Sequence, residues 1–219
     1  MLSEIKKISS LLLSVAFSSI GFIASITVTV LAAREVSSNP LFVGFPNAVG
    51  VGGAVLGTRM IYLISKNNSQ LNALAFTFLI GAFGGAIMFY SLIVDSFVLL
   101  LFGAFILGIG QSATLQTRYA ASFVASEKFK ATALSLAVWF SVFGSVFGPR
   151  MVGSYSNFFE NIFNSELIVG YVIALVGMLF AASSLFIFTS KKSILRSPSN
   201  LESELNNQNS NKKNGNLLS

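Results

Sequence analysis

The chain has no cysteine and no histidine among its 219 residues. Without cysteine there is no disulfide, thiol nucleophile or thiolate-held cluster. Without histidine, imidazole-ligated haem and zinc are excluded, along with every histidine-based catalytic arrangement. Charge is scarce as well: Asp, Glu, Lys and Arg make up 10% of residues, against 53% hydrophobic. No carboxylate falls in the middle of an apolar stretch. Glu35 and Asp95 stand at the outer ends of two stretches, while Glu4, Glu127, Glu202 and Glu204 lie in hydrophilic flanks. A proton relay through a membrane commonly uses Asp, Glu or His, so the usual parts of one are missing. Paired-carboxylate hydrolysis and Ser-His-Asp chemistry lack their residues too. The chain is not expected to be an enzyme, and no cofactor or metal site is expected.

What is present is long and apolar. Between charged residues run Ile8–Ala33, Val36–Thr58, Asn67–Val94, Ser96–Thr117, Ala131–Pro149 and Leu167–Ser190. Each is near the ~20 apolar residues needed to cross a bilayer core as a helix. The pattern predicts an all-α, polytopic membrane protein with six transmembrane helices, at about 9–33, 41–65, 72–94, 97–124, 131–153 and 167–190. The lipid bilayer is its first partner.

Lysine marks every second gap: Lys6 and Lys7, then Lys66, then Lys128 and Lys130, then Lys191 and Lys192 with Arg196. The alternate gaps hold only Arg34 and Arg150. Lys/Arg-rich loops stay cytoplasmic, so both termini should lie inside a plasma (inner) membrane, the first being residues 1–8. The formal charge of +6 is largely accounted for by these flanks. No basic face of a soluble domain remains for nucleic acid. A secretory h-region runs only about 7–15 residues; Leu11–Ala33 is longer and reads as a retained span. Residues 191–219, with Ser197-Pro198-Ser199 and Asn206-Asn207-Gln208-Asn209, bury too little apolar surface to offset their ordering entropy. They are expected to form a disordered cytoplasmic tail.

The spans sort into two sets of three. The first and fourth carry polar residues, the second and fifth carry glycine and proline, and the third and sixth are plainer. This pattern resembles a three-plus-three inverted repeat. Read more simply, glycines spaced by four, such as Gly53/Gly57 and Gly81/Gly85, only let helices pack closely in lipid.

Arg118 is the costliest residue. At ~100° per residue, Gln111, Thr114, Arg118 and Ser122 share one helical face. Counting ~1.5 Å per residue, Arg118 lies roughly 10 Å inside the cytoplasmic end. A guanidinium facing lipid there would cost at least a few kcal/mol, so water, an anion or a polar partner is expected; snorkelling to the surface is the alternative. Ser14, Ser18, Ser25 and Thr29 line one face of the first span, with Ser18 level with Arg118 and Ser25 with Gln111. They form the opposite wall of a cavity, or bond only to their own helix. Candidate substrate-cavity residues are therefore Ser18, Ser25, Gln111, Thr114, Arg118 and Ser122. A six-helix bundle alone is expected to expose both stripes to lipid.

The run from Gly108 to Gly153 includes Gly108-Ile109-Gly110-Gln111, Arg118-Tyr119-Ala120-Ala121, Lys128–Lys130 and Gly144-Ser145-Val146-Phe147-Gly148-Pro149-Arg150-Met151-Val152-Gly153. The last block is similar to GxxxGPxxGG, the fifth-helix signature of the major facilitator superfamily, with Val152 replacing one glycine. Over roughly residues 5–190 the chain resembles the N-terminal six-helix half of such a transporter. The resemblance implies that Gly144, Gly148, Pro149 and Gly153 shape a bent gate helix beside the pathway. It also implies transport of a small-molecule solute by alternating access, with a second six-helix half from a homodimer mate or another chain. The family's loop after the second helix reads close to GxLaDrxGRR. Here Gly57 and Arg59 are followed by Ser65-Lys66-Asn67-Asn68-Ser69-Gln70, without the aspartate. Ala104 stands where members often carry an arginine. These departures keep open a second reading, a non-transporting fragment or degenerate membrane subunit. A third is a channel, for which Asn39-Pro40-Leu41 offers a single faint half-helix motif.

Overall fold

The computed structural model describes residues 2–37, 40–67, 69–163 and 165–191. Six helices account for nearly all of them: α1 (Leu2–Val36), α2 (Phe45–Asn67), α3 (Gln70–Ile93), α4 (Phe97–Val124), α5 (Lys130–Phe163) and α6 (Ile168–Lys191). Two single 3-10 turns, Pro40–Phe42 and Glu127–Phe129, lead into α2 and α5. No strand occurs among the described residues. All six helices are long and apolar enough to cross a membrane. The tail expected to be disordered lies outside the described residues.

Local chemistry sets the ends. Ser69 and Ser96 are N-caps whose side chains accept from the backbone of Asn72 and Leu99, satisfying donors that the first helical turn leaves free. After α3 the chain turns through Asp95 in the left-handed region, φ 50°. The Ser96 N–H then bonds the Ser91 carbonyl at 3.0 Å, a helix-closing pattern in which an aspartate takes the place usual for glycine. α5 runs on to Phe163, past the span read at 131–153. Its extension is held by rings: Phe163 packs edge-on against Phe89 of α3, with centroids 5.5 Å apart, and stacks on Phe159.

Small residues decide which helices touch. α4 meets α3 in antiparallel register, with Gly110 against Gly81, and Ile106 and Leu107 against Gly84. α1 meets α6 likewise, with Gly21 against Ala174, and Phe17 against Gly177. α2 runs along α4, where Gly53 abuts Ile109 and Gly57 abuts Ile109 and Ser112. α5 runs along α1, where Gly144 abuts Ser19 and Ile20, and Gly148 abuts Ile20 and Ile23. α3 and α6 touch at Gly85 and Leu175. Bilayers supply no hydrophobic drive between helices, so such close backbone approach is what holds a bundle together.

The interior contains Leu11, Phe78, Met88, Leu100, Tyr171 and Met178, all essentially inaccessible. Leu13, Val30, Val98, Phe102, Trp139 and Ile187 face outward, as lipid contact requires. α2 and α5 bury a much smaller share of their length than the other four helices.

Candidate functional site

One cavity, of about 230 Å³, opens between α1, α2 and α4, with Met88 of α3 beneath it. α1 contributes Phe22, Ser25, Ile26 and Thr29; α2 contributes Pro46, Asn47, Gly50 and Val51; α4 contributes Ala104, Leu107 and Gln111. Its lining is mostly apolar, with four polar side chains and no ionisable one. Such a lining suits a small amphipathic solute, with apolar walls for bulk and a few polar groups for orientation. Gly50 matters here because its carbonyl lies where a Cβ on Gly108 would have to go. A larger residue at either position would push α2 from α4 and change the cavity's wall.

Ser25 and Gln111 are thus brought together, as their shared depth implies. Ser25 donates to the Phe22 carbonyl at 2.7 Å, and Thr29 to the Ser25 carbonyl at 2.6 Å. Tyr171, fully buried on α6, donates to the Thr29 hydroxyl at 3.5 Å. This is a long contact, weak by itself, but it ties α6 to the back of the cavity wall.

The remaining candidates lie toward the other end of the seam, where α1 begins and α4 ends. Ser18 is fully buried and donates to the Val15 carbonyl at 3.2 Å. Thr114 is 3% exposed, and its hydroxyl has no hydrogen-bond partner. Arg118 is half-buried; its Nε is inaccessible and also lacks a partner. Ser122 donates to the Tyr119 carbonyl at 2.7 Å. The expectation that the serine stripe faces lipid does not hold for these helices: Ser14, Ser18, Ser25 and Thr29 are all buried inside the bundle. Close packing of α6 at Gly21 and α5 at Ile20 covers the flanks of α1.

The four gate-helix candidates separate into two kinds. Gly144 and Gly148 are buried against α1, where a side chain would meet backbone. Pro149 is exposed inside α5, and Gly153 opens onto empty space. Sequence reasoning missed Asn47 and Tyr171. Asn47, a lone amide in the glycine-rich second span, carried a usable signal. Tyr171, in the plainest span, carried none.

Six apolar helices around a polar seam define a multi-pass helical membrane protein. No protein-family model matches the chain, and no solved structure does. Among curated proteins it is similar to two from Bacillus subtilis (strain 168). The uncharacterized MFS-type transporter YdeG is 30% identical over 175 residues, 80% of this chain and 41% of the relative. The uncharacterized MFS-type transporter YddS is 30% identical over 183 residues, 84% of this chain and 42% of the relative. Over about 80% of its length the chain thus fits one half of a major facilitator superfamily transporter, and it spans well under half the length of the curated relatives it matches.

Proposed function

We propose that the chain is a transport half: it moves a small solute across a bacterial plasma membrane by alternating access, together with a second six-helix half. The observation that carries this is the cavity between α1, α2 and α4, mostly apolar with Ser25, Asn47 and Gln111 converging on it, in a chain similar to MFS-type transporters. Its substrate cavity comprises Ser25 and Gln111, with Ser18, Thr114, Arg118 and Ser122 continuing the seam inward. We assign no catalytic role to any of these residues, and the Lys-rich flanks support cytoplasmic termini.

Matching close contacts between the helices support the three-plus-three inverted repeat. Exchanging α1 with α4, α2 with α5 and α3 with α6 turns the Gly53–Ile109 contact into Gly144–Ile20. It turns Gly57–Ser112 into Gly148–Ile23, Gly81–Gly110 into Ala174–Gly21, and Gly84–Ile106 into Gly177–Phe17. Each partner lies nearly the same distance further along the chain, as two copies of one three-helix unit would require.

The second half is expected against α2 and α5, the helices with least of their length covered. A Cβ at Gly44 or Gly153 meets nothing within 4 Å, so cysteines fit at both. Crosslinking G44C to G153C on separate copies in native membranes should trap a symmetric pair. A monomer under all conditions, with no transport after reconstitution alone or with a candidate second chain, would leave the alternative: a non-transporting subunit or fragment. The loop from Ser65 to Gln70 favours that alternative, because it lacks the aspartate of the family pattern.

A further inference from the structure

The cavity has a counterpart at the other end of the seam. The exchange that carries Gly21 to Gly110 also carries Ser25 to Thr114 and Thr29 to Arg118. In the reverse direction it carries Leu107 to Ser18, and between α2 and α5 it carries Gly50 to Ser141. The outer copy therefore has a threonine where the inner copy has a guanidinium. Ser18, Thr114 and Ser141 are all buried in the inner copy, as Ser25 and Thr29 are in the outer one.

Two polar groups in the inner copy have nothing to bond. The Thr114 hydroxyl and the Arg118 Nε, one helical turn apart on α4, are both inaccessible and without a partner. Ser18 and Ser141 differ, each donating to a carbonyl of its own helix. No ion pair joins Arg118 to a carboxylate among the described residues, and no span has a carboxylate at its middle to supply one. A partly desolvated guanidinium beside a free hydroxyl, with no internal counter-ion, is costly in a membrane interior unless an anion compensates it. Its planar fork suits the two oxygens of a carboxylate or phosphate.

We infer that the inner end of the α1–α4–α5 seam binds an oxyanion, a carboxylate or phosphate group, with Arg118 as the cation and Thr114 as a hydroxyl donor. The proposal rests on the transport reading for its physiological meaning: the solute would be amphipathic, its apolar body suiting the outer cavity and its anionic group engaging Arg118. Binding itself can be read without transport, so the two can fail separately.

The test uses the full chain in nanodiscs of zwitterionic phosphatidylcholine. The unfolding midpoint is followed by the fluorescence of Trp139, the chain's single tryptophan. Sodium benzoate and inorganic phosphate are the probes, with sodium chloride at equal ionic strength as reference. The wild-type midpoint should rise by a few degrees with at least one probe. R118Q should show no rise beyond chloride, and R118K a reduced one. If R118Q does not accumulate, T114V carries the test, with a smaller rise expected than for wild type. Discs containing phosphatidylglycerol separate the two sources of the anion. A rise there that is absent from R118Q, with no further effect of added anions, assigns the site to a lipid headgroup. Equal rises in wild type and R118Q, or no rise from either source, would overturn the proposal. A failed transport assay alongside Arg118-dependent binding sinks only the transport reading.

Discussion

A methyl group added at Gly108 would fall on the carbonyl oxygen of Gly50, and one at Gly53 on that of Phe105. Both obstacles are backbone, so neither can swing aside. G108A is expected to force α2 from α4 and to cost about 1–3 kcal/mol, the usual range for overpacking. It should lower the thermal midpoint of the purified protein, while G153A, which meets only open space within a helix, should hold or slightly raise it. A G108A midpoint equal to wild type would mean that α2 and α4 do not pack as described. Side-chain access gives a second check at this scale. Gln111 lines the cavity, whereas Ala113, two positions along, is fully buried. A cysteine at 111 should react with a membrane-impermeant thiol reagent, and one at 113 should not. Comparable labelling at both positions would remove the cavity.

Among the elements, α5 combines the most tension. Pro149 sits inside a 34-residue helix and has no N–H, so one carbonyl a turn earlier loses its helical partner. In a helix interior such a proline costs ~3 kcal/mol relative to alanine. Gly144 and Gly148, just before it, are pressed against Ile20 of α1. P149A is therefore expected to raise the thermal midpoint while slowing uptake in the paired form proposed above for transport. That opposition is what a bent gate would produce; a P149A protein both more stable and equally active would assign the proline no role in gating. The helix also shows where sequence reading stops. Its first two-thirds were legible as a continuous apolar run. The stretch from Ser154 to Phe163, with Asn157, Glu160 and Asn161 among its aromatics, carries no clear hydropathy signal. It is helical because Phe159 and Phe163 find a stack and Phe89 across the bundle, a tertiary cause that no window along the chain contains.

For the molecule as a whole, the number and order of helices were legible because a bilayer demands ~20 apolar residues per crossing and leaves few alternatives. The inward-facing side of each helix was not legible to the same degree. Ser14, Ser18, Ser25 and Thr29 form a clean stripe, yet a stripe of small hydroxyls serves a polar wall and a close helix contact equally well. Most of these hydroxyls satisfy themselves on their own backbone, so polarity alone could not tell which neighbour they meet. Arg118 and Gln111 were more telling because neither can be hidden that way. Orientation in the membrane belongs to this scale too. Six crossings put the two ends of the chain on one side and the α5–α6 connection on the other. The lysines near the start of α1, near the end of α2, around the start of α5 and at the end of α6 then all share the side of the termini. Loops rich in Lys and Arg resist translocation, so reporters placed within residues 1–9 and after Ser197 should both read cytoplasm, and one at Asn157 should read the opposite face. A reporter at Asn157 on the same side as the one after Ser197 would break the six-crossing arrangement. All three reporters inverted together would keep the fold and reverse its direction, placing Arg118 near the outer surface and the open cavity toward the cytoplasm.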